Sequence, residues 1–170
     1  QGYSLRPNDR KKLAEYDIAK ITLFKPLQKL FDEFYQTNLP QTLKAADFAG
    51  LSQTSENVFV IPRYIDQFDI CIKSLSEQDF NSLSFLRQLS IDHKKKILVA
   101  LLGEKGSIAF LNGKSHKQQA IKIKVKDTNG AGDAYIAHFL ISYLRKRNIP
   151  KAMVEASKAA SEKINKLGAT

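Results

Sequence analysis

AIKIKVKDTNGAGDAYIAHFLISYLRKR, residues 120–147, runs from an alternating segment through a glycine-bearing junction into a long apolar one. Ile121, Ile123 and Val125 alternate with Lys122, Lys124 and Lys126, the period-two pattern of a half-buried strand over 120–125. Residues 131–147 carry apolar side chains at helical spacing and close on Arg145, Lys146 and Arg147, cations that suit a helix C-terminus. Strand, glycine turn and helix in that order aim backbone N–H groups and the positive helix end at one spot, an anion site. Asp133 lies inside it, where the field that attracts phosphate also favours a charged carboxylate. One use for it is as a base beside a bound phosphate, taking the proton of an attacking hydroxyl. The other is an acidic first-turn residue, stabilising the helix by ~0.3–1 kcal/mol. Spacing alone does not separate the two.

Working outward, strands and helices alternate. Residues 97–102 (ILVALL) are six apolar residues bounded by lysine and glycine, a strand buried on both faces. Residues 16–22, 43–49 and 68–73 read as further strands, with Lys20 awkward in the first of them. Residues 107–111 and 120–125 read as a strand pair with a turn at Asn112-Gly113. A helix opens at Pro26 and stops near Asn38 and Pro40; its apolar positions are Leu27, Leu30, Phe31, Phe34 and Tyr35. Ser76, with Asp79 three residues on, is the expected cap of a helix turning Phe80, Leu83, Leu86 and Leu89 inward. Asn148 and Pro150 open the last helix, with Met153, Ala156, Ala160 and Ile164 inside and Gly168 ending it. Alternation of this kind predicts an α/β layered fold with a mostly parallel sheet and flanking helices.

A length of 170 residues suits one domain with a real core. No apolar run approaches the ~20 residues of a membrane helix. A single cysteine, Cys71, excludes an internal disulfide framework and a multi-cysteine zinc site; it is expected to be a buried strand residue. A reducing, cytoplasmic location is expected. Gln1-Gly2-Tyr3 offers no apolar signal segment and no initiator methionine, so the sequence reads as part of a longer chain. The net charge is +10, unevenly spread: ten basic and eleven acidic residues up to residue 85, seventeen and six after it. A basic half can serve nucleic acid, an anionic membrane or phosphorylated small molecules. No aromatic platform interleaves with the short basic clusters, which makes nucleic acid a poor partner. Gly113-Lys114-Ser115 lacks the glycine a P-loop needs where Ile108 stands, and reads as a hairpin turn. His93, His116 and His138 lack ligand spacing.

Residues 126–139 (KDTNGAGDAYIAHF) closely resemble the DTxGAGD signature of the ribokinase-like, or PfkB, carbohydrate kinases. Residues 99–106 (VALLGEKG) resemble that family's TLGxxG strand and turn, with Leu101 in place of its threonine. Residues 69–77 resemble its NxxE segment, with Ser74 in place of the asparagine. The tail from Ala159-Ala160 to Gly168-Ala169 resembles the closing helix near the adenine pocket, and Ala46-Asp47-Phe48-Ala49 is most similar to the fructoselysine or fructosamine kinases. The resemblance implies a ribokinase-like fold and an ATP- and Mg²⁺-dependent transfer of phosphate to a sugar or sugar-amine hydroxyl. It makes Asp133 the base and the backbone of Asn129, Gly130, Ala131 and Gly132 the anion hole. Leu101, Gly103, Gly106, Asp127, Thr128, Ala160 and Gly168 would lie on the nucleotide side, Asp127 orienting the loop. Glu77 would serve the metal through water.

Nothing in the sequence resembles the family's small lid sheet, glycine pair or acidic sugar-binding residue. Residues 1–170 are therefore expected to form the nucleotide-binding portion of such a kinase, with the N-terminal part and lid missing. Strand edges left uncovered would favour a homo-oligomer. The rival reading is a non-catalytic basic module that keeps the anion site and binds nucleic acid or protein.

Overall fold

The computed structural model describes residues 4–23, 28–48, 55–76, 79–123 and 127–165. Six strands form one sheet: β1 (Ile18–Thr22), β2 (Leu43–Asp47), β3 (Ile70–Ser74), β4 (Ile97–Leu101), β5 (Ser107–Leu111) and β6 (Lys114–Gln118). They lie side by side in chain order; β1 to β4 are parallel, and β5 and β6 are antiparallel to their neighbours. Parallel neighbours need a crossover, supplied by α2 (Gln28–Gln36), by 3₁₀ turns at Ser55–Arg63 and Ile65–Gln67, and by α3 (Phe80–Asp92). A short helix, α1 (Pro7–Leu13), precedes β1, and α4 (Ala131–Lys146) and α5 (Ile149–Ile164) follow β6. This is the expected layered, mostly parallel α/β architecture.

Each sheet face has its own core because side chains alternate along a strand. Leu43, Ala45, Ile70, Ile72, Ile97 and Val99 face α4 and α5, meeting Tyr135, Phe139, Leu140, Met153 and Ala156. Ala46, Cys71, Leu98 and Ala100 face the other way, onto a core that includes Phe31, Phe34, Phe48, Phe68 and Leu86. Phe31 meets Tyr64 edge-on, ring centres 5.0 Å apart. With both faces covered, β4 has no wet side, which is why residues 97–102 read as an unbroken apolar run. Cys71 is buried as expected, and burial pushes its thiol up to about 12.

Two buried lysines interrupt these strands. Lys44 donates to the carbonyls of Phe34, Tyr35 and Thr37 at 3.2, 2.9 and 2.8 Å, gathering three carbonyls around the end of α2, where helical partners run out. Its ammonium also lies 5.3 Å and 5.4 Å from the ring centres of Phe34 and Phe68. Burial brings its pKa down to about 8. Lys73 donates to the Phe48 carbonyl at 3.1 Å, and burial likewise lowers it.

Four local expectations are corrected. The partner of β5 is β6 at Lys114–Gln118, not a strand over 120–125. Asn112 and Gly113 both have positive φ, 49° and 73°, so they close a two-residue hairpin and pairing starts at once with Leu111 opposite Lys114. Residues 119–123 are irregular and Ile121 is exposed, while Lys124, Val125 and Lys126 lie outside the described residues. The cap of α3 is Asp79, accepting from the Ser82 N–H at 3.0 Å, rather than Ser76. Phe80, first residue past that cap, points outward and is 74% exposed. The last helix ends at Ile164 with Asn165 as its cap, ahead of Gly168, which lies outside the described residues.

Candidate active site

The junction singled out in the sequence forms a tight loop leading into α4. Asp127 accepts the Asn129 N–H at 2.9 Å, folding the loop on its own side chain. The Asp127 N–H in turn donates to the Ile164 carbonyl at 3.2 Å, which ties the loop to the end of α5. Thr128 accepts from the Ala131 N–H at 3.2 Å, and Gly130 accepts from that of Ala134 at 2.9 Å. Gly130 is the residue that turns the chain into the helix, with φ 75° and ψ 2°. A side chain there would be strained, and its Cβ would stand 3.3 Å from Lys163 Cε. Gly132, by contrast, is helical, and a Cβ added to it meets nothing within 4 Å. The open ground in front of the first turn of α4 is where an anion would sit against its N–H groups.

Asp133 projects from that first turn with 80% of its side chain exposed. It faces the carboxyl ends of β1 and β2, where parallel sheets place their ligands. There the Lys20 ammonium stands 3.8 Å from one Asp133 oxygen, 3.4 Å from an Asp47 oxygen and 2.7 Å from the Thr22 hydroxyl. The register explains the meeting: Thr22 pairs with Asp47, and Lys20 lies two residues before Thr22 on the same face. This cluster was not found from the sequence. The signal available was Lys20 itself, a charge inside a strand.

On the other side, β4 ends at Leu101, which packs on the core beneath α4 and α5. Residues 102–106 form a closed turn: the Leu102 N–H donates to the Gly106 carbonyl at 2.8 Å, and the Gly106 N–H to that of Gly103 at 3.1 Å. Gly103 opens to free space, whereas Gly106 is packed against the backbone of residues 118–120. Ser107, next along, hydrogen-bonds the Tyr135 hydroxyl at 2.7 Å, pinning this turn to α4 two residues beyond Asp133. Burial raises that phenol to about 12. Ala160 packs on α5 one turn before Ile164. The structure thus links the loop of residues 127–133, the β4 turn and the end of α5. Glu77 and Gly168 lie outside the described residues, among which no grouping of three acidic, imidazole or thiol side chains could hold a metal. The clefts at α1 (Arg6, Asn8, Lys11) and at Lys146, Pro150 and Glu155 lie elsewhere.

Residues 35–170 match the pfkB family of carbohydrate kinases. The chain is 26% identical over 167 residues to the fructoselysine 6-kinase of Escherichia coli strain K12, covering 98% of this chain and 61% of that protein. It is 33% identical over 120 residues to a 5-dehydro-2-deoxygluconokinase of Listeria innocua, covering 66% and 37%. Arabidopsis thaliana ribokinase, solved with ribose and ATP, superposes with a TM-score of 0.73 at 21% identity, covering 98% of this chain and 55% of that one. Adenosine kinase from Sinorhizobium meliloti gives 0.70 at 23%, covering 96% and 54%. These structural likenesses identify a ribokinase-like fold, and the chain spans about three-fifths of the length of the fructoselysine 6-kinase it matches. On residues 35–170, the chain belongs to the pfkB family of carbohydrate kinases.

Proposed function

We propose that this chain is the nucleotide-side portion of a longer, cytoplasmic sugar kinase that moves the γ-phosphoryl group of ATP to a sugar hydroxyl. The observation that carries the reading is the loop of residues 127–133. It turns at Gly130 into α4 and sets an exposed carboxylate, Asp133, beside the helix N-terminus. In the proposed step, an Asp133 oxygen takes the acceptor hydroxyl proton while that hydroxyl's oxygen bonds to the γ-phosphorus. The bond to the β–γ bridging oxygen breaks and ADP leaves. Backbone N–H groups of residues 129–132 offset the charge on the transferring group, and positioning supplies most of the acceleration. ATP supplies the phosphoryl group and the Mg²⁺ it carries neutralises phosphate charge. The open space at Gly132 and Gly103 leaves room for phosphate and nucleotide. Glu77 is the proposed metal-side residue, through water. A fructosamine acceptor such as fructoselysine is favoured by the similarity to the fructoselysine 6-kinases.

In the longer kinase, Asp133→Asn should cut kcat by roughly 10²–10⁴ with ATP binding little changed. Full turnover by that variant would remove the base from this reading. The isolated chain should bind Mg·ATP weakly by calorimetry and make no ADP with fructoselysine, ribose or fructose. Transfer to a sugar needs the acceptor held within about 3–3.5 Å of phosphorus and water shut out, and the chain spans about three-fifths of the length of the fructoselysine 6-kinase it matches. Robust sugar-dependent ADP production would show this chain to be sufficient by itself.

A further inference from the structure

We propose that Lys20 is a positioning residue for Asp133, anchored by Asp47 and Thr22; the proposal rests on the reading of Asp133 as the base. Asp133 hangs from the first turn of α4 with its side chain 80% exposed, so nothing on its own helix fixes where the carboxylate points. Lys20 comes from a different layer. Its side chain is 26% exposed and rides on β1, the edge strand paired in register with β2, and its ammonium is held from behind by two groups. The Thr22 hydroxyl accepts from it at 2.7 Å, and a carboxylate oxygen of Asp47, whose side chain is only 5% exposed, stands 3.4 Å away. The third contact reaches forward to Asp133 at 3.8 Å.

The order of burial gives the arrangement its direction: a buried carboxylate on β2, a half-buried cation on β1, an exposed carboxylate on α4. A long lysine side chain is mobile when free, but two anchors at its tip leave one charge at a fixed place. An exposed ion pair adds little to stability. Its consequence is orientation: the Asp133 carboxylate is drawn toward the carboxyl end of β1 and β2 instead of sampling solvent. Asp127 and Lys163, two further charged residues beside this loop, are placed differently. Asp127 is engaged with the Asn129 N–H, and Lys163 flanks Gly130.

Two measurements test this. In the 170-residue chain, three-bond couplings to Asp133 Cγ should report a single χ1 rotamer, averaged in Lys20→Met and partly averaged in Thr22→Val, which removes only the hydroxyl anchor. Averaging already present in the unmodified chain would overturn the proposal, and Thr22→Val carries the comparison should Lys20→Met not fold. In the longer kinase, with fructoselysine and Mg·ATP, Lys20→Met should lower kcat about 10- to 100-fold, the scale of a misplaced reacting group, with KM for ATP unchanged and partial rescue by Lys20→Arg. Added to Asp133→Asn, Lys20→Met should cost nothing further, because residues acting through one another are not additive. An unchanged kcat, a raised KM for ATP alone, or an equal loss in the Asp133→Asn background would each overturn Lys20's role while leaving the base in place. Full turnover by Asp133→Asn would remove the base and leave the rotamer result standing.

Discussion

Replacing Gly106 by alanine would drive a Cβ into the Gln118 carbonyl oxygen, 2.6 Å from the Ala120 nitrogen and 2.8 Å from the Gln119 carbonyl carbon. All three obstacles are backbone, so no rotamer change relieves the overlap. The residue's own conformation, φ 93° and ψ −124°, is one that side chains disfavour, at a cost of about 1–3 kcal/mol. Relief would require the end of β6 to move, breaking the pairing of Ser107 with Gln118 and one or two hydrogen bonds near it, each worth roughly 0.5–1.5 kcal/mol. The sum is about 1.5–6 kcal/mol. Gly103, three residues earlier, is the control. Its φ of 57° is also positive, but an added Cβ meets nothing within 4 Å. Gly103→Ala should therefore cost about 1 kcal/mol, the left-handed penalty less the entropy removed from the unfolded chain. Urea unfolding of the 170-residue chain, followed by circular dichroism, should put the Gly106→Ala midpoint roughly 1–2 M below the parent and Gly103→Ala close to it. Equal losses in the two variants would refute the overlap with residues 118–120 as the reason for Gly106.

Four further outcomes are expected. Gly132→Val should keep the fold, because its Cβ enters open space in a helix, and should lose Mg·ATP affinity by calorimetry. Gly113→Ala, at φ 73° with Ile91 Cγ1 2.8 Å from the new Cβ, should lose stability yet leave nucleotide binding of the folded protein alone. The Lys44 ammonium titrates near 8 when folded and at about 10.5 otherwise, so between those values the unfolded chain holds a proton the folded chain has released. Stability should gain from Lys44 as pH rises through that window; Lys44→Met should flatten the rise in urea midpoints, and an unchanged slope would assign it to another group. Cys71, buried and with its thiol near 12, should resist a disulfide reagent at about pH 8 until urea is added, the thiolate being the reactive form.

Signals confined to one segment were legible. The run 97–102 reports burial on both faces, and the glycine junction before residues 131–147 reports a helix start, because both depend on neighbours along the chain. The partner of β5 was misplaced because β6 is an edge strand of polar residues, KSHKQ, with no apolar alternation to announce it. The alternating isoleucines just beyond it drew the strand toward 120–125, although turn geometry at Asn112-Gly113 had already fixed where pairing begins. Phe80 followed the helical period but sits on the first turn, where the cap turns it out. Lys20, Asp47 and Asp133 come from three separate elements, and only the sheet register and the placement of α4 bring their charges together.

The strands stand in the sheet in the order in which they occur in the chain. A ribosome delivering this polypeptide therefore hands each new strand a finished edge to join, and none has to be threaded between two already paired. Sheet growth by accretion keeps each loop closure short, which lowers the entropic barrier that slows non-local β topologies. It also grades the finished molecule from the middle outward: β3 and β4 are flanked by paired strands on both sides, while β6 has a neighbour on one. Amides in the central pair would open only with the whole sheet, and those at the β6 margin could exchange by peeling a single strand.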